Sequence, residues 1–328
     1  MISFFGAQLE NNFIVNKYNF KINDILKSGI SLGGKYTELL EDTLNSVHPG
    51  YNTIAVGSAT DALFFALKAC NSKRVAVPSV SFKATLSAVK RAGAIPIMVD
   101  VESDSLMGLE SLRNSEEVDT ILFVSLYGKS NTPIYKYAKD NNIKIIEDSA
   151  QCDFIKNNPD IGVLSFDPTK ILSSFGSGGA IICKSEYYSQ IKNMRKHGTP
   201  FGYNSQIAEI SAWLVNLKIK WHLNEWQMIR KQIANDYLDI NTIHLYDPSR
   251  DTHALSKYVI RVDDPNDFIK YMLSKEIECK RHYSEPIAEM FMSSRLSKEV
   301  VSLPIHPFLK KDQINKIVEN ANAYLDNR

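Results

Sequence analysis

The sequence predicts an α/β fold in which a mainly parallel, seven-stranded sheet is covered by helices on both faces and followed by a smaller α+β unit. Three observations carry this expectation. Seven short apolar runs fall between residues 52 and 183, and the first five are separated by segments long enough for a crossover helix. The runs are continuous Val/Ile/Leu stretches rather than alternating ones, as burial on both faces demands. After Pro248 the pattern becomes a mixture of strands and amphipathic helices. At 328 residues the chain is too long for one ordinary core. Two domains are expected, 1–235 and 236–328, with the N-terminal segment packing on the second.

The expected strands are NTIAV (52–56), RVAVP (74–78), IPIMV (95–99), TILFV (120–124), IKIIE (143–147), VLSF (163–166) and AIIC (180–183). The stretch SATDALFFALKAC opens a helix at Ser58, where Ser58 and Asp61 resemble a capping box. Residues 186–197 have an amphipathic helical pattern. A longer helix is expected over 207–236, because Ile207, Ile210, Leu214, Leu217 and Trp221 step by 3, 4, 3 and 4 and form one packing seam. The second unit reads as a strand at 257–262, a helix after Pro265, a strand near 277–281 and a last helix from Lys311.

The bulk numbers exclude several classes. A hydrophobic fraction of 44% and a charged fraction of 23% are those of a globular protein. A net charge of +1 creates no global field toward nucleic acid or an anionic membrane. No run approaches the roughly 18 apolar residues of a membrane helix, and the opening MISFFGAQLENN lacks the pattern of a signal peptide. Cys70, Cys152, Cys183 and Cys279 form no CxxC pair and no zinc spacing, so no metal site is expected and a reducing, cytoplasmic setting is the simplest reading.

The chemistry concentrates around Lys170, which closes SFDPTK just before the glycine turn FGSGG. Burial there lowers a lysine's pKa and frees the neutral amine for imine formation. Asp148, after IKIIE, either caps a helix starting at Ser149 or stays ionised against a protonated pyridine nitrogen. The helix at Ser58, Ala59 and Thr60 aims free backbone N–H groups at whatever precedes it, an arrangement suited to a phosphate. Phe82 either fills core or stacks its ring on a cofactor. Ser165 either satisfies a strand end or donates to a phosphate. Together these are the parts that hold pyridoxal 5′-phosphate (PLP). A dinucleotide site is disfavoured, because FGSGG lacks GxGxxG spacing and precedes a strand. Two basic clusters remain: Lys280, Arg281 and His282 read either as a diphosphate contact or as surface, and Lys192, Arg195 and Lys196 as a solvated helix face.

The ordered set of motifs resembles the DegT/DnrJ/EryC1/StrS family of PLP-dependent sugar aminotransferases over nearly the whole chain. It comprises GSATDAL (57–63), PSVSFKAT (78–85), GAIPIMVDV (93–101), SLYGK (125–129), IIEDSAQ (145–151), SFDPTK (165–170), GSGGAI (176–181), RKHG (195–198), GYNSQIAEISA (202–212), HYSEPI (282–287) and SLPIHP (302–307). The resemblance implies a fold-type I, aspartate-aminotransferase-like homodimer. It implies Lys170 as the Schiff-base lysine, Asp148 as the pyridinium partner, Gln151 near the ring hydroxyl and Phe82 as the stacking ring. Ser58, Ala59 and Ser165 then hold the phosphate, together with Asn204 of the neighbouring subunit. The reaction implied moves an amine from L-glutamate to a nucleotide-linked keto-deoxysugar, by default a dTDP-4-keto-6-deoxyhexose or its 3-keto isomer, for surface polysaccharide, O-antigen or glycoside biosynthesis.

The sequence departs from the family pattern in places. The segment 152–164 is short, Gln206 stands where an arginine is common, Ser177 where a glutamate is, and the stretch after His197 is brief. These are substrate-gripping positions, so a keto-cyclitol acceptor and a non-catalytic binding or regulatory role stay open as alternatives.

Overall fold

The computed structural model describes residues 1–18, 20–249 and 253–327. The seven runs form strands β1 (Asn52–Val56), β2 (Arg74–Pro78), β3 (Ile95–Val99), β4 (Thr120–Val124), β5 (Lys144–Asp148), β6 (Ile161–Ser165) and β7 (Gly179–Cys183). They make one sheet in the order β1-β7-β6-β5-β4-β2-β3. β3, β2, β4, β5 and β6 are parallel neighbours. β7 is antiparallel to both β6 and β1, so six strands share one direction and β7 alone is reversed.

Burial on both faces explains the unbroken apolar runs. Val75, Val77, Leu122 and Ile146 enter the core on one face, packed with Leu63 and Phe65 of the helix Ala59–Ala69. Ala76, Ile121, Phe123 and Ile145 enter the core on the other. Neighbours along a strand alternate faces, and both faces are dry.

The reversal of β7 follows from its connection. The segment 166–178 contains no helix to carry the chain back across the sheet, so it returns directly alongside β6. Gly176, at φ +111°, makes the turn that side chains disfavour. Gly179 allows a close approach: a Cβ there would lie 2.7 Å from the backbone nitrogen of Ala59. The amino end of β7 therefore lies against the start of the helix Ala59–Ala69.

A second sheet, β8 (Ile243–His244), β9 (Tyr258–Arg261) and β10 (Val300–Leu303), is antiparallel in the order β10-β9-β8. Helices Pro265–Ser274 and Lys311–Leu325 cover it, contributing Phe268, Met272, Ile314 and Ile317 to a separate core. Ile2 joins that core, and its backbone bridges Ile277.

The structure corrects several expectations. Residues 277–281 make only isolated bridges, Ile2 to Ile277 and Lys280 to Ser302, and no strand. The long helix begins at Glu209 rather than Ile207 and is interrupted by a wide turn at His222–Trp226 before it resumes as Gln227–Asp236. The extra residue in such a turn re-aims the helix face. There His222 Nε2 meets the buried Asp153 carboxylate at 2.9 Å, while Trp226 enters the core around Ile14. Arg195 is not a solvated cation: it ion-pairs with Glu41 and donates to the carbonyl of Ala55 at 3.1 Å, tying down the edge strand β1. Among the described residues no helix is long and apolar enough to cross a membrane.

Candidate active site

Parallel sheets present ligand sites beyond the carboxyl ends of their strands, and here those ends converge. β1 leads to Ser58, β2 to Ser81 and Phe82, β5 ends at Asp148 and β6 at Ser165. The reversed β7 brings Gly178, the residue before its amino end, to the same edge. These residues line one cavity of about 240 Å³, together with Ala59, Thr85, Gln151, Lys170, Ser177 and Tyr283.

One end of the cavity is a set of hydrogen-bond donors. In the helix Ala59–Ala69, Asp61 N–H donates to Ser58 Oγ at 3.1 Å and Ala62 N–H to the Ser58 carbonyl at 3.1 Å. The N–H groups of Ala59 and Thr60 have no place in the helical ladder. The Ser58 hydroxyl accepts a bond and still has its own hydrogen to donate. Ser165 lies opposite, at the end of β6. This donor set fits a phosphate.

The other end holds a buried carboxylate. Asp148 does not cap a helix, because the chain after it is a turn, with Ala150 N–H donating to Asp148 Oδ1 at 3.2 Å. Thr85 Oγ1 donates to Oδ2 at 3.0 Å, backed by Ser81 Oγ at 2.7 Å. Burial pushes the Asp148 pKa upward, against these two hydrogen bonds and the Lys170 charge. A buried carboxylate so placed gains from a cationic partner, such as a protonated pyridine nitrogen.

Lys170 lies in the connection between β6 and β7, in a turn closed by its N–H to the Asp167 carbonyl at 2.9 Å. Burial draws its pKa down, and Asp148 and Asp167 partly offset this. Phe82 is 62% exposed at the cavity edge, so its ring is available for stacking rather than spent in the core. The donor end, the carboxylate, the amine and the exposed ring fit PLP as a set.

Seven of the eight residues singled out from sequence line this cavity; Asn204 does not. It is exposed, bridges Lys196 through its backbone, and accepts from Gln206 Nε2 at 3.0 Å. Gln151 is engaged by the protein: its Oε1 accepts from Tyr127 N–H at 3.0 Å, and its Nε2 donates to the Tyr283 hydroxyl at 2.6 Å. Sequence reasoning missed Thr85 and Tyr283. Both lie inside quoted motifs, PSVSFKAT and HYSEPI, but only the fold brings them to the cavity. The Lys280–His282 cluster is largely held elsewhere. Arg281 donates to the Ser297 carbonyl at 2.7 Å, Lys280 lies 3.4 Å from Glu278, and His282 pairs with Ser302 at 2.9 Å.

Comparison with known proteins agrees with this geometry. The profile of the DegT/DnrJ/EryC1/StrS aminotransferase family matches residues 13–322. A dTDP-3-amino-3,6-dideoxy-alpha-D-galactopyranose transaminase of Aneurinibacillus thermoaerophilus is 29% identical over 99% of both chains. A protein of Geobacillus stearothermophilus named pleiotropic regulatory protein is 26% identical over 91% of both. The crystal structure of DesV from S. venezuelae superposes with a TM-score of 0.92 over 98% of both chains at 23% identity, a likeness of fold. The chain belongs to the DegT/DnrJ/EryC1/StrS aminotransferase family, whose aminotransferases are PLP-dependent enzymes of fold type I.

Proposed function

We propose that this protein is a nucleotide-sugar aminotransferase that moves an amine from L-glutamate to a nucleotide-linked keto-deoxysugar. The observation that carries the reading is the meeting of Lys170, Asp148 and the helix-start donors at Ser58 and Ala59 in one cavity. The relative of known name supports a sugar nucleotide as acceptor. The second relative's name keeps the regulatory alternative in view, but a fully furnished cavity favours catalysis.

When bound, PLP supplies an aldehyde carbon that takes up the amine and a ring that accepts the electron pair released at the donor's α-carbon. The protein does the rest. Ser58, Ala59 and Ser165 hold the phosphate, and Phe82 covers the ring. Asp148, fixed by Thr85 and Ala150, keeps the proton on the ring nitrogen. Gln151 flanks the ring, oriented by Tyr127 and Tyr283. Lys170 Nζ, its pKa drawn down by desolvation, takes the proton from the donor's α-carbon and returns one to the acceptor carbon. One lysine serves both substrates in turn, so the donor's product leaves before the acceptor enters and the kinetics are ping-pong.

Residues 1–235 form the cofactor domain in this reading and 236–328 the smaller one. Two chains associate, and Asn204 reaches the phosphate of the neighbouring subunit. Its exposure outside the cavity of its own chain supports this, as do exposed Phe82, Phe175 and Phe201. Four buried free cysteines suit the reducing cytoplasm.

The test is chemical. The purified protein should be yellow, and borohydride should fix the chromophore to the peptide containing Lys170. Glutamate with a panel of keto-sugar nucleotides and inosose-type ketones, read by mass spectrometry, should give an aminated sugar nucleotide. A chromophore on another lysine, or amination of the cyclitol ketones alone, would overturn the assignment.

A further inference from the structure

A second cavity, of about 20 Å³, takes no part in the scheme above. The N-terminal segment, the helix Gln227–Asp236, the residue two places before β9 and the chain after β10 all contribute to its walls. Thr169 and Lys170 are the residues that line both this cavity and the cofactor cavity. Lys170 therefore borders two separate spaces.

Polar atoms without partners converge on the smaller one. Among the described residues no hydrogen bond reaches Arg230 Nε, Ser256 Oγ or either ring nitrogen of His306. Arg230 is 5% exposed and His306 2% exposed, so bulk solvent does not satisfy them. The rest of the Arg230 guanidinium is engaged: Nη1 donates to the Ile305 carbonyl at 2.6 Å and Nη2 to Glu10 Oε1 at 3.4 Å. Gly6 admits the imidazole, because a Cβ there would lie 2.6 Å from His306 Cγ. Burial, and then the Arg230 charge, draw the His306 pKa down to about 4; the Ser3 backbone offsets this in part but stands outside hydrogen-bond geometry. The ring is neutral near neutral pH, with one N–H to donate and one bare nitrogen to accept.

Volume and chemistry select the occupant. A water needs roughly 10–15 Å³ on the same measure, so the cavity has room for one. Arg230 Nε can only donate, the Ser256 hydroxyl can do either, and the bare nitrogen of His306 can only accept. An anion has no hydrogen for that nitrogen and would face the Glu10 carboxylate in the same wall. A cation would meet the Arg230 guanidinium. Water accepts and donates at once. We propose that this cavity is a water site bridging Arg230, Ser256 and His306, and that its water exchanges protons with Lys170 from outside the cofactor cavity. The exchange role rests on the transaminase reading above. Once Lys170 has taken a proton, its ammonium gives one proton to the water and receives another back, so atoms and charge balance.

The test uses the full-length, PLP-loaded protein. A high-resolution crystal map of the wild type should show one water within hydrogen-bond reach of Arg230 Nε, Ser256 Oγ and a His306 ring nitrogen. In heavy water, L-glutamate is then reacted with isotope-labelled 2-oxoglutarate, and mass spectrometry reads how much of the new glutamate carries deuterium on its α-carbon. His306→Phe removes both ring nitrogens and fills part of the space with a larger ring. Ser256→Val removes the hydroxyl and fills the space from another wall, and it covers the case in which His306→Phe does not fold. Either variant should lose the water, and the deuterated fraction should fall severalfold while PLP stays on Lys170. A wild-type map with the cavity empty or closed by a side chain overturns the proposal. So does a folded variant that keeps the water, or one that loses it with the deuterated fraction unchanged. A wild type that moves no amine removes the function itself and the exchange role with it, while its crystal map still decides the water site.

Discussion

Lys218 and Lys170 meet at the same stretch of chain with opposite company. Lys170 lies within the connection from β6 to β7, and Lys218 reaches that connection from the helix Glu209–Trp221, donating to Ser173 Oγ at 2.6 Å. Both are drawn below a free lysine's pKa, chiefly by burial. Lys218 is also 3.4 Å from Glu10, whose other oxygen is 3.4 Å from Arg230. That cluster ties the N-terminal helix Ala7–Tyr18 to both halves of the interrupted helix. Lys170 has no bonded side-chain partner among the described residues and opens on a cavity. The difference teaches what burial of a lysine means. With its donors satisfied, a lysine is a strut; with its amine free beside a cavity, it is a reagent.

The comparison breaks most sharply at Glu10. Glu10→Ala leaves Lys218 and Arg230 buried without their anion, and removing one partner of such a cluster costs roughly 3–5 kcal/mol. Urea unfolding should show that loss, while borohydride labelling at Lys170 survives wherever the variant is folded. A loss below about 1 kcal/mol would mean that the cluster is no strut, its charges being worth no more than a surface pair.

Asp148→Asn should do the reverse. Turnover should fall roughly 10²–10³-fold, as when one preorganised electrostatic group is removed from a reacting centre. The fold of the cofactor-free protein should not suffer, because burial holds the Asp148 pKa above its ordinary 3.8. A carboxyl whose folded pKa is raised stabilises the fold fully below its unfolded pKa, and that contribution is lost as pH climbs through the folded pKa. The wild-type apoprotein should therefore lose stability relative to Asp148→Asn above about pH 3.8. Equal turnover in the two proteins would remove Asp148 from the mechanism.

Much of this contrast was legible before any fold was known. Lys170, Asp148, Ser58 and Ser165 sit at the ends of apolar runs or beside glycine turns, and strand direction puts such ends together. The reversed β7 was not legible, because a buried run reads the same in either direction; only the helix-free connection decides it. Tyr283 and Gln151 are 132 residues apart, and no local pattern announces their contact. The wide turn at His222–Trp226 hid inside a regular helical pattern, and its contact with Asp153 spans 69 residues of sequence.

Tyr283 supplies the finest division between strut and reagent. Its hydroxyl accepts from Gln151 Nε2, and burial holds its own proton firmly in place. Tyr283→Phe deletes that acceptor and leaves Gln151 tied only to Tyr127 N–H. If Tyr283 acts solely by orienting Gln151, the cost is that of one neutral hydrogen bond, about 1 kcal/mol, and PLP should be retained about fivefold less tightly. Spectrophotometric titration of the apoprotein with PLP reads this directly, and the pH profile of turnover should stay as in the wild type. A hundredfold drop in turnover with unchanged PLP retention would instead place the Tyr283 hydroxyl against the reacting atoms, on the side of Lys170 rather than of Lys218.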